Sequence, residues 1–316
     1  MTLRRLGRTS ISIEPLVLGG NVFGWTLDET ESFAVLDAYA GNGFTLIDTA
    51  DSYSKWVPGN AGGESETIIG NWLKSRGNRD KVAIATKVGT RLDKDAKDLS
   101  AAYVETACEA SLRRLGVDHI DLYFAHWPDP TVTHEETLRA FENLKTSGKV
   151  GNIGCSNYDA PLLAAALEVS SSEGLPRYEV LQNEYNLYSR DSFEGAVQEL
   201  VLAEQIGVIV YYGLASGFLT GKYRSEADFS KSQRGGGMSR YLDEKGLAIL
   251  SAMDEVAAQT GASHAEIALA WLAAQPGVTA PIASATSVEQ VESLARGARL
   301  ALSANQLEAL TAAGRS

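Results

Sequence analysis

Short apolar runs recur along the chain at 16–20, 44–48, 82–86, 120–125, 150–154, 180–183, 208–211 and 278–282. Runs of this length between turn residues read as buried strands. Between them, residues 29–42, 64–76, 101–115, 135–146, 160–171, 193–206, 243–259, 263–275, 287–298 and 303–313 carry apolar positions at helical spacing. The ends are punctuated. Asp28 with Glu31 three residues on predicts a capped start, Ser100 a second N-cap, and Gly77, Gly116 and Gly148 mark helix stops. Residues 3–13 alternate around Gly7-Arg8 and predict a short hairpin. Eight strands alternating with helices imply a parallel sheet, and eight βα units suit a closed (β/α)₈ TIM barrel with extra C-terminal helices better than an open doubly wound sheet. The 212–241 connection is long, rich in Gly, Ser and charge, and reads as a lid or binding loop.

Composition narrows the picture without changing it. The 316 residues are 44% apolar and 22% charged, with a net charge of −12 at pH 7. Such a chain has no long-range attraction for nucleic acid or an anionic membrane, although a local nest of backbone N–H groups still accommodates an anionic cofactor. The two cysteines, Cys108 and Cys155, form no disulfide framework or metal spacing, so both are expected as free thiols. The N-terminal residues lack a signal-peptide core, and no apolar run is long enough to cross a membrane. With no linker or internal repeat, residues 1–316 read as one domain, set in the cytoplasm.

The ends of the predicted strands collect ionisable groups, as on a barrel's catalytic face. Asp48 closes the second strand and Tyr53 follows in its loop. Lys87 follows the third strand, His126 the fourth, and Ser156-Asn157 the fifth. A loop tyrosine is ordinarily a packing residue, and its pKa of about 10 is too high for proton exchange near neutrality. An adjacent ammonium, Lys87, is expected to lower that value. The plainer alternative is an Asp48–Lys87 bridge that only fills the barrel mouth. His126 has the position and chemistry to donate to a carbonyl oxygen.

These residues sit in longer motifs: Asp48-Thr49-Ala50-Asp51-Ser52-Tyr53, Thr86-Lys87-Val88-Gly89, Asp121-Leu122-Tyr123-Phe124-Ala125-His126-Trp127-Pro128, a stretch from Gly148 to Tyr158, Gln182-Asn183-Glu184-Tyr185-Asn186, and Gly217-Phe218-Leu219-Thr220-Gly221-Lys222-Tyr223. In this order they resemble the aldo-keto reductase superfamily, of the bacterial type related to potassium-channel β subunits. The resemblance implies a barrel that binds a nicotinamide cofactor without a Rossmann fingerprint, and no Gly-x-Gly-x-x-Gly follows a strand here. It implies a tetrad of Asp48, Tyr53, Lys87 and His126, with Tyr53 as acid in reduction and base in oxidation. Lys87, held by Asp48, tunes Tyr53, and His126 orients the carbonyl. Ser156, Asn157 and Gln182 match positions that hold the nicotinamide carboxamide, Tyr211 the ring that stacks on it, and Leu214, Ser216 and Lys222 a loop over the pyrophosphate.

At the adenosine end, Ser284, Thr286 and Gln290 are the expected contacts. The cationic side chains common there in NADPH-selective relatives are missing, and Leu294 stands where many have asparagine. Lys222 or Arg234 from the long loop is the expected source of charge. NADP(H) is expected ahead of NAD(H). Gly213 replaces a usual proline. Trp25, Trp56 and Trp127 are expected to line an apolar substrate pocket or stack on a sugar face, and the short remainder after the last helix suggests an open, permissive site. No metal site is expected: His119, His134 and His264 lack ligand spacing. Partial matches at Ser52–Lys55, Gly217–Lys222 and Tyr241–Lys245 to other enzyme motifs lack their companion elements. Three functions follow as expectations: reduction of aldehydes or ketones, an oxidative sugar or alcohol dehydrogenase on the same fold, or a regulatory subunit that senses cofactor. The partner implied is a small carbonyl or alcohol; oligomeric state and preferred direction are left open.

Overall fold

The computed structural model describes residues 3–231 and 235–315. Two short strands, β1 (Arg4–Arg5) and β2 (Ser12–Ile13), form an antiparallel hairpin. Eight more close a parallel barrel: β3 (Val17–Gly19), β4 (Leu46–Asp48), β5 (Ala83–Val88), β6 (Ile120–Ala125), β7 (Val150–Ser156), β8 (Val180–Glu184), β9 (Gly207–Tyr211) and β10 (Ala280–Ala283). They pair in sequence order, and β10 bonds both β9 and β3 to complete the ring. Around it run α1 (Glu29–Gly41), α2 (Glu64–Arg76), α3 (Ala101–Leu115), α4 (His134–Thr146), α5 (Ala160–Glu173), α6 (Ala196–Ala203), α7 (Glu244–Thr260), α8 (His264–Ala273), α9 (Val288–Arg299) and α10 (Ala304–Ala313). The sequence-based reading of the fold as a (β/α)₈ barrel with an N-terminal hairpin therefore holds.

Strand alternation divides the apolar residues into two layers. One face of each strand joins the helices in a large outer core that includes Leu18, Ile47, Ile84, Tyr123 and Ile153. The other face fills the barrel with Val17, Leu46, Ala85, Leu122, Phe124, Val180, Ile209, Ala280 and Ile282. Phe124 takes its space from Gly154, where an added Cβ would lie 2.5 Å from the ring and 2.7 Å from the Val180 carbonyl. Leu6 and Ile13 of the hairpin join the inner cluster. Gly7, at φ +60°, brings the hairpin turn against the Glu179 carbonyl and Gly207 amide at the start of β8 and β9. The hairpin thus plugs the N-terminal end of the barrel, and the opposite end is left for chemistry.

The same period-two logic carries upward. Two residues beyond Leu46, Ala85, Phe124, Val180 and Ile209 on the inner face stand Asp48, Lys87, His126, Gln182 and Tyr211.

Several boundaries differ from the sequence-based expectation. β5 and β7 run two residues further, so Lys87 and Ser156 lie on strands rather than after them. The expected strands stopped at Thr86 and Gly154, yet an inward-facing polar side chain leaves the ladder intact. β10 is Ala280–Ala283, not 278–282, and α6 is shorter than the predicted 193–206. Asp28 and Glu31 form the expected reciprocal cap. Ser100 occupies its N-cap position without bonding the helix; its hydroxyl goes to Asp98 instead. The 212–241 connection contains 3₁₀ turns at Ala215–Thr220, Glu226–Lys231, Gly235–Gly237 and Ser239–Tyr241. Both cysteines are free and buried.

Candidate active site

Lys87 is completely buried, which demands compensation for its charge. Its Nζ donates to Asp48 Oδ2 at 2.7 Å, to the Thr49 carbonyl at 2.8 Å and to Tyr53 Oη at 2.8 Å. All three ammonium protons are therefore placed. Tyr53 Oη also donates toward Asp48 Oδ2 at 3.2 Å, and Gln182 Nε2 donates to Asp48 Oδ1 at 2.8 Å.

The Tyr53 phenol faces the cleft, but protein crowds it. Burial, followed by the Asp48 carboxylate, holds its pKa well above the ordinary value. The sequence-based expectation ran the other way, because it counted the Lys87 ammonium alone. Burial draws the Lys87 pKa down, against the opposing pull of Asp48.

His126 faces Tyr53 with ring centroids 6.2 Å apart and stacks on Trp127. Burial, then the charges of Lys87 and Lys97, lower its pKa well below 6.5, so the ring is neutral near pH 7. Its Nδ1 is sealed from solvent without a hydrogen-bond partner, leaving Nε2 to meet the cleft.

Next to this group lies a closed net of polar bonds. Asn157, in the left-handed region at φ 64°, donates from Nδ2 to the His126 carbonyl and to Ser156 Oγ. Its Oδ1 accepts from Tyr211 at 2.6 Å, and the Ser156 hydroxyl donates to the Gln182 carbonyl at 2.7 Å. The donors of Ser156 and Asn157 are thus committed within the protein. The net presents acceptors to the cleft, chief among them Gln182 Oε1, since the amino side of that amide must face the Asp48 carboxylate.

Comparison with known proteins fits this geometry. Residues 15–315 match the model of the aldo/keto reductase family. The chain belongs to the aldo/keto reductase family. It is 31% identical to Protein tas of Escherichia coli, over 99% of this chain and 97% of that protein. It is 32% identical to the aldo-keto reductase YhdN of Bacillus subtilis, over 90% of this chain and 83% of that protein. A probable voltage-gated potassium channel subunit beta of rice is 31% identical, over 92% of this chain and 89% of that protein. The family consists of oxidoreductases that use nicotinamide cofactors, generally NADP(H), on small carbonyl compounds.

The family's cofactor needs a large groove, and one is present: a cleft of about 1290 Å³ runs from Tyr53, Trp56, His126 and Trp127 past Ser156, Asn157, Gln182 and Tyr211 to Ser284, Thr286 and Gln290. Leu214, Ser216 and Lys222 line it as well. Tyr212, Ala215 and Ser216 have φ between 46° and 56°, and Gly217 and Gly221 are also left-handed. Left-handed backbone at three non-glycine residues is strained, and strain of this kind gathers at ligand-binding turns. The acceptor wall at one end, Ser216 and Lys222 on the loop and the groove's size together fit a dinucleotide.

At the far end the polar groups are partly spent on one another. Ser284 donates to Asn21 Oδ1, and the Thr286 amide and hydroxyl both go to Gln290 Oε1. Arg296 is bonded to Glu266. Lys222 is exposed, with Nζ over the Tyr223 ring, and Arg234 lies outside the described residues. Arg240 approaches Ser216 at 3.4 Å, a cation the sequence reading did not single out.

The tryptophans divide. Trp56 and Trp127, 51% and 36% exposed, stand at the mouth. Trp25 does not line the cleft; it packs edge-on behind Trp56. Tyr212, 46% exposed, is a third aromatic on the rim that the sequence reading missed. Only its adjacency to Tyr211 hinted at it, and strict strand alternation would have turned it outward. Its left-handed backbone is what leaves it on the cleft. Among the described residues no helix is long and apolar enough to cross a membrane.

Proposed function

We propose that this protein reduces aldehydes or ketones to alcohols, with Asp48, Tyr53, Lys87 and His126 as its catalytic group and NADP(H) ahead of NAD(H) as cofactor. The observation that carries the reading is the buried chain Asp48–Lys87–Tyr53, which ends in a phenol on the cleft. When bound, the nicotinamide supplies the hydride. Ser156, Asn157, Gln182 and Tyr211 hold its ring end; Leu214, Ser216 and Lys222 cover the pyrophosphate; Ser284, Thr286 and Gln290 meet the adenosine end.

Tyr53, its pKa held high, keeps its proton at neutral pH and gives it to the carbonyl oxygen as negative charge grows there. Lys87 at 2.8 Å then steadies the phenolate, and Asp48 fixes Lys87. Neutral His126 offers Nε2–H to the same oxygen and so orients the substrate. Trp56 and Trp127 at the mouth favour a substrate with an apolar or ring-bearing body. The family match over residues 15–315 supports a single domain across 1–316, and we place the protein in the cytoplasm.

Replacing Tyr53 with Phe should lower turnover at least about a hundredfold, the scale of losing a general acid, with nucleotide affinity nearly unchanged. Turnover equal to wild type would sink this mechanism.

A second reading, oxidation of a sugar or alcohol with NAD⁺ or NADP⁺, draws on the adenosine end, where Ser284, Thr286 and Gln290 are uncharged and Arg296 is already bonded to Glu266. Steady-state rates in both directions with both nucleotides separate the two.

A further inference from the structure

Asp48 is the hub of the buried chain, and its two oxygens have different partners. Oδ2 receives Lys87 and Tyr53, while Oδ1 receives Gln182 Nε2 at 2.8 Å. Gln182 itself is 2% exposed, and its backbone carbonyl is already fastened by the Ser156 hydroxyl and the Asn157 amide. A carboxylate only accepts, so the amino group is committed to Asp48 and Oε1 is committed to the cleft. Ser156 and Asn157 have no donor to spare. This wall therefore discriminates by accepting: a group that offers N–H is welcome, and one that offers only a carbonyl leaves Oε1 unpaired.

We propose that Gln182, beyond the carboxamide contact already expected of it, is a positioning residue of the proton chain, which fixes Asp48 from Oδ1. Cofactor binding and the alignment of Lys87 and Tyr53 then become one coupled event, transmitted through a single amide whose two ends polarise each other. The inference rests on the cofactor reading above and adds a role toward Asp48.

The test replaces Gln182 with Met, which keeps the length and removes the amide. Ser156→Ala is the comparator, since it alters the same wall without touching Asp48. Equilibrium binding of NADPH and of its 3-acetylpyridine analogue, which lacks the amino group, is followed by fluorescence. Wild type should prefer the carboxamide form by about tenfold, the scale of one buried hydrogen bond, and Q182M should reduce that preference to near unity.

The pH profile of alcohol oxidation gives a second readout. The Gln182 N–H dipole tempers the Asp48 carboxylate. Without it the carboxylate bears harder on Tyr53 and raises the phenol's pKa further. Tyr53 must be deprotonated for oxidation, so the rising limb should move to higher pH by about half to one unit in Q182M and stay in place in S156A. A Q182M limb that stays in place, or limbs that shift equally in both variants, would overturn the proposal; an unchanged analogue preference would overturn the carboxamide contact instead. If wild type binds neither nucleotide, the cofactor reading itself fails. The link to Asp48 is then decided without nucleotide by thermal melts of Q182M, Asp48→Asn and the double variant. Non-additive Tm losses support positioning, and additive ones contradict it.

Discussion

Lys87 holds a full charge with no exposure, and Asp48 is its carboxylate partner at bonding distance. That pairing is easy to break and hard to replace. Asp48→Asn strands a buried ammonium, so urea unfolding should show a loss of about 3–5 kcal/mol; a loss under about 1 kcal/mol would mean that Lys87 sheds its proton instead. His126 offers a pH test. Its pKa lies well below 6.5 in the folded protein, so the unfolded chain binds the extra proton first as pH falls. The stability contributed by the neutral ring is full above about pH 6.5 and is lost progressively below it. The NMR resonances of the His126 ring should show no titration between pH 6.5 and 9, and a midpoint inside that range would contradict the burial argument. At this scale the clustering of Asp48, Tyr53, Lys87 and His126 was legible because each stands at or near a strand's C-terminal end. The direction of the Tyr53 pKa was not, because it depends on how closely burial and Asp48 outweigh the ammonium, which spacing along a chain does not encode.

At the scale of elements, period-two alternation did most of the work of placing the site. The same inner face that packs Leu46, Ala85 and Phe124 delivers Asp48, Lys87 and His126 two residues later. The exact strand ends escaped the pattern, since Lys87 and Ser156 look like terminators when read one residue at a time. Gly154 makes the inner face testable. Gly154→Ala drives a methyl into Phe124 and the Val180 carbonyl and should lower stability by about 1–3 kcal/mol. Adding Phe124→Leu should recover part of that in thermal melts, because the ring is the softer obstacle. No recovery would locate the clash at the backbone instead. The length of the 212–241 connection was legible, but its left-handed residues were not, since tyrosine, alanine and serine carry no signal for positive φ.

At the scale of the molecule, the barrel separates its tasks. The hairpin and inner cluster close the N-terminal end, and the cleft opens at the other. Strand count and order were legible because eight βα repeats admit few closures. The choice between NADP(H) and NAD(H) was not, because it turns on where a few cations from a long loop come to rest.

The central claim is that this cleft takes a nicotinamide dinucleotide against the Tyr53–Lys87–Asp48 chain. The most direct test is titration of the protein with NADPH, then NADH, with energy transfer from Trp56 and Trp127 at the mouth as the signal. Saturable transfer at micromolar NADPH, weaker with NADH and retained in Tyr53→Phe, is the predicted result. Absence of saturable transfer with both nucleotides would contradict the account.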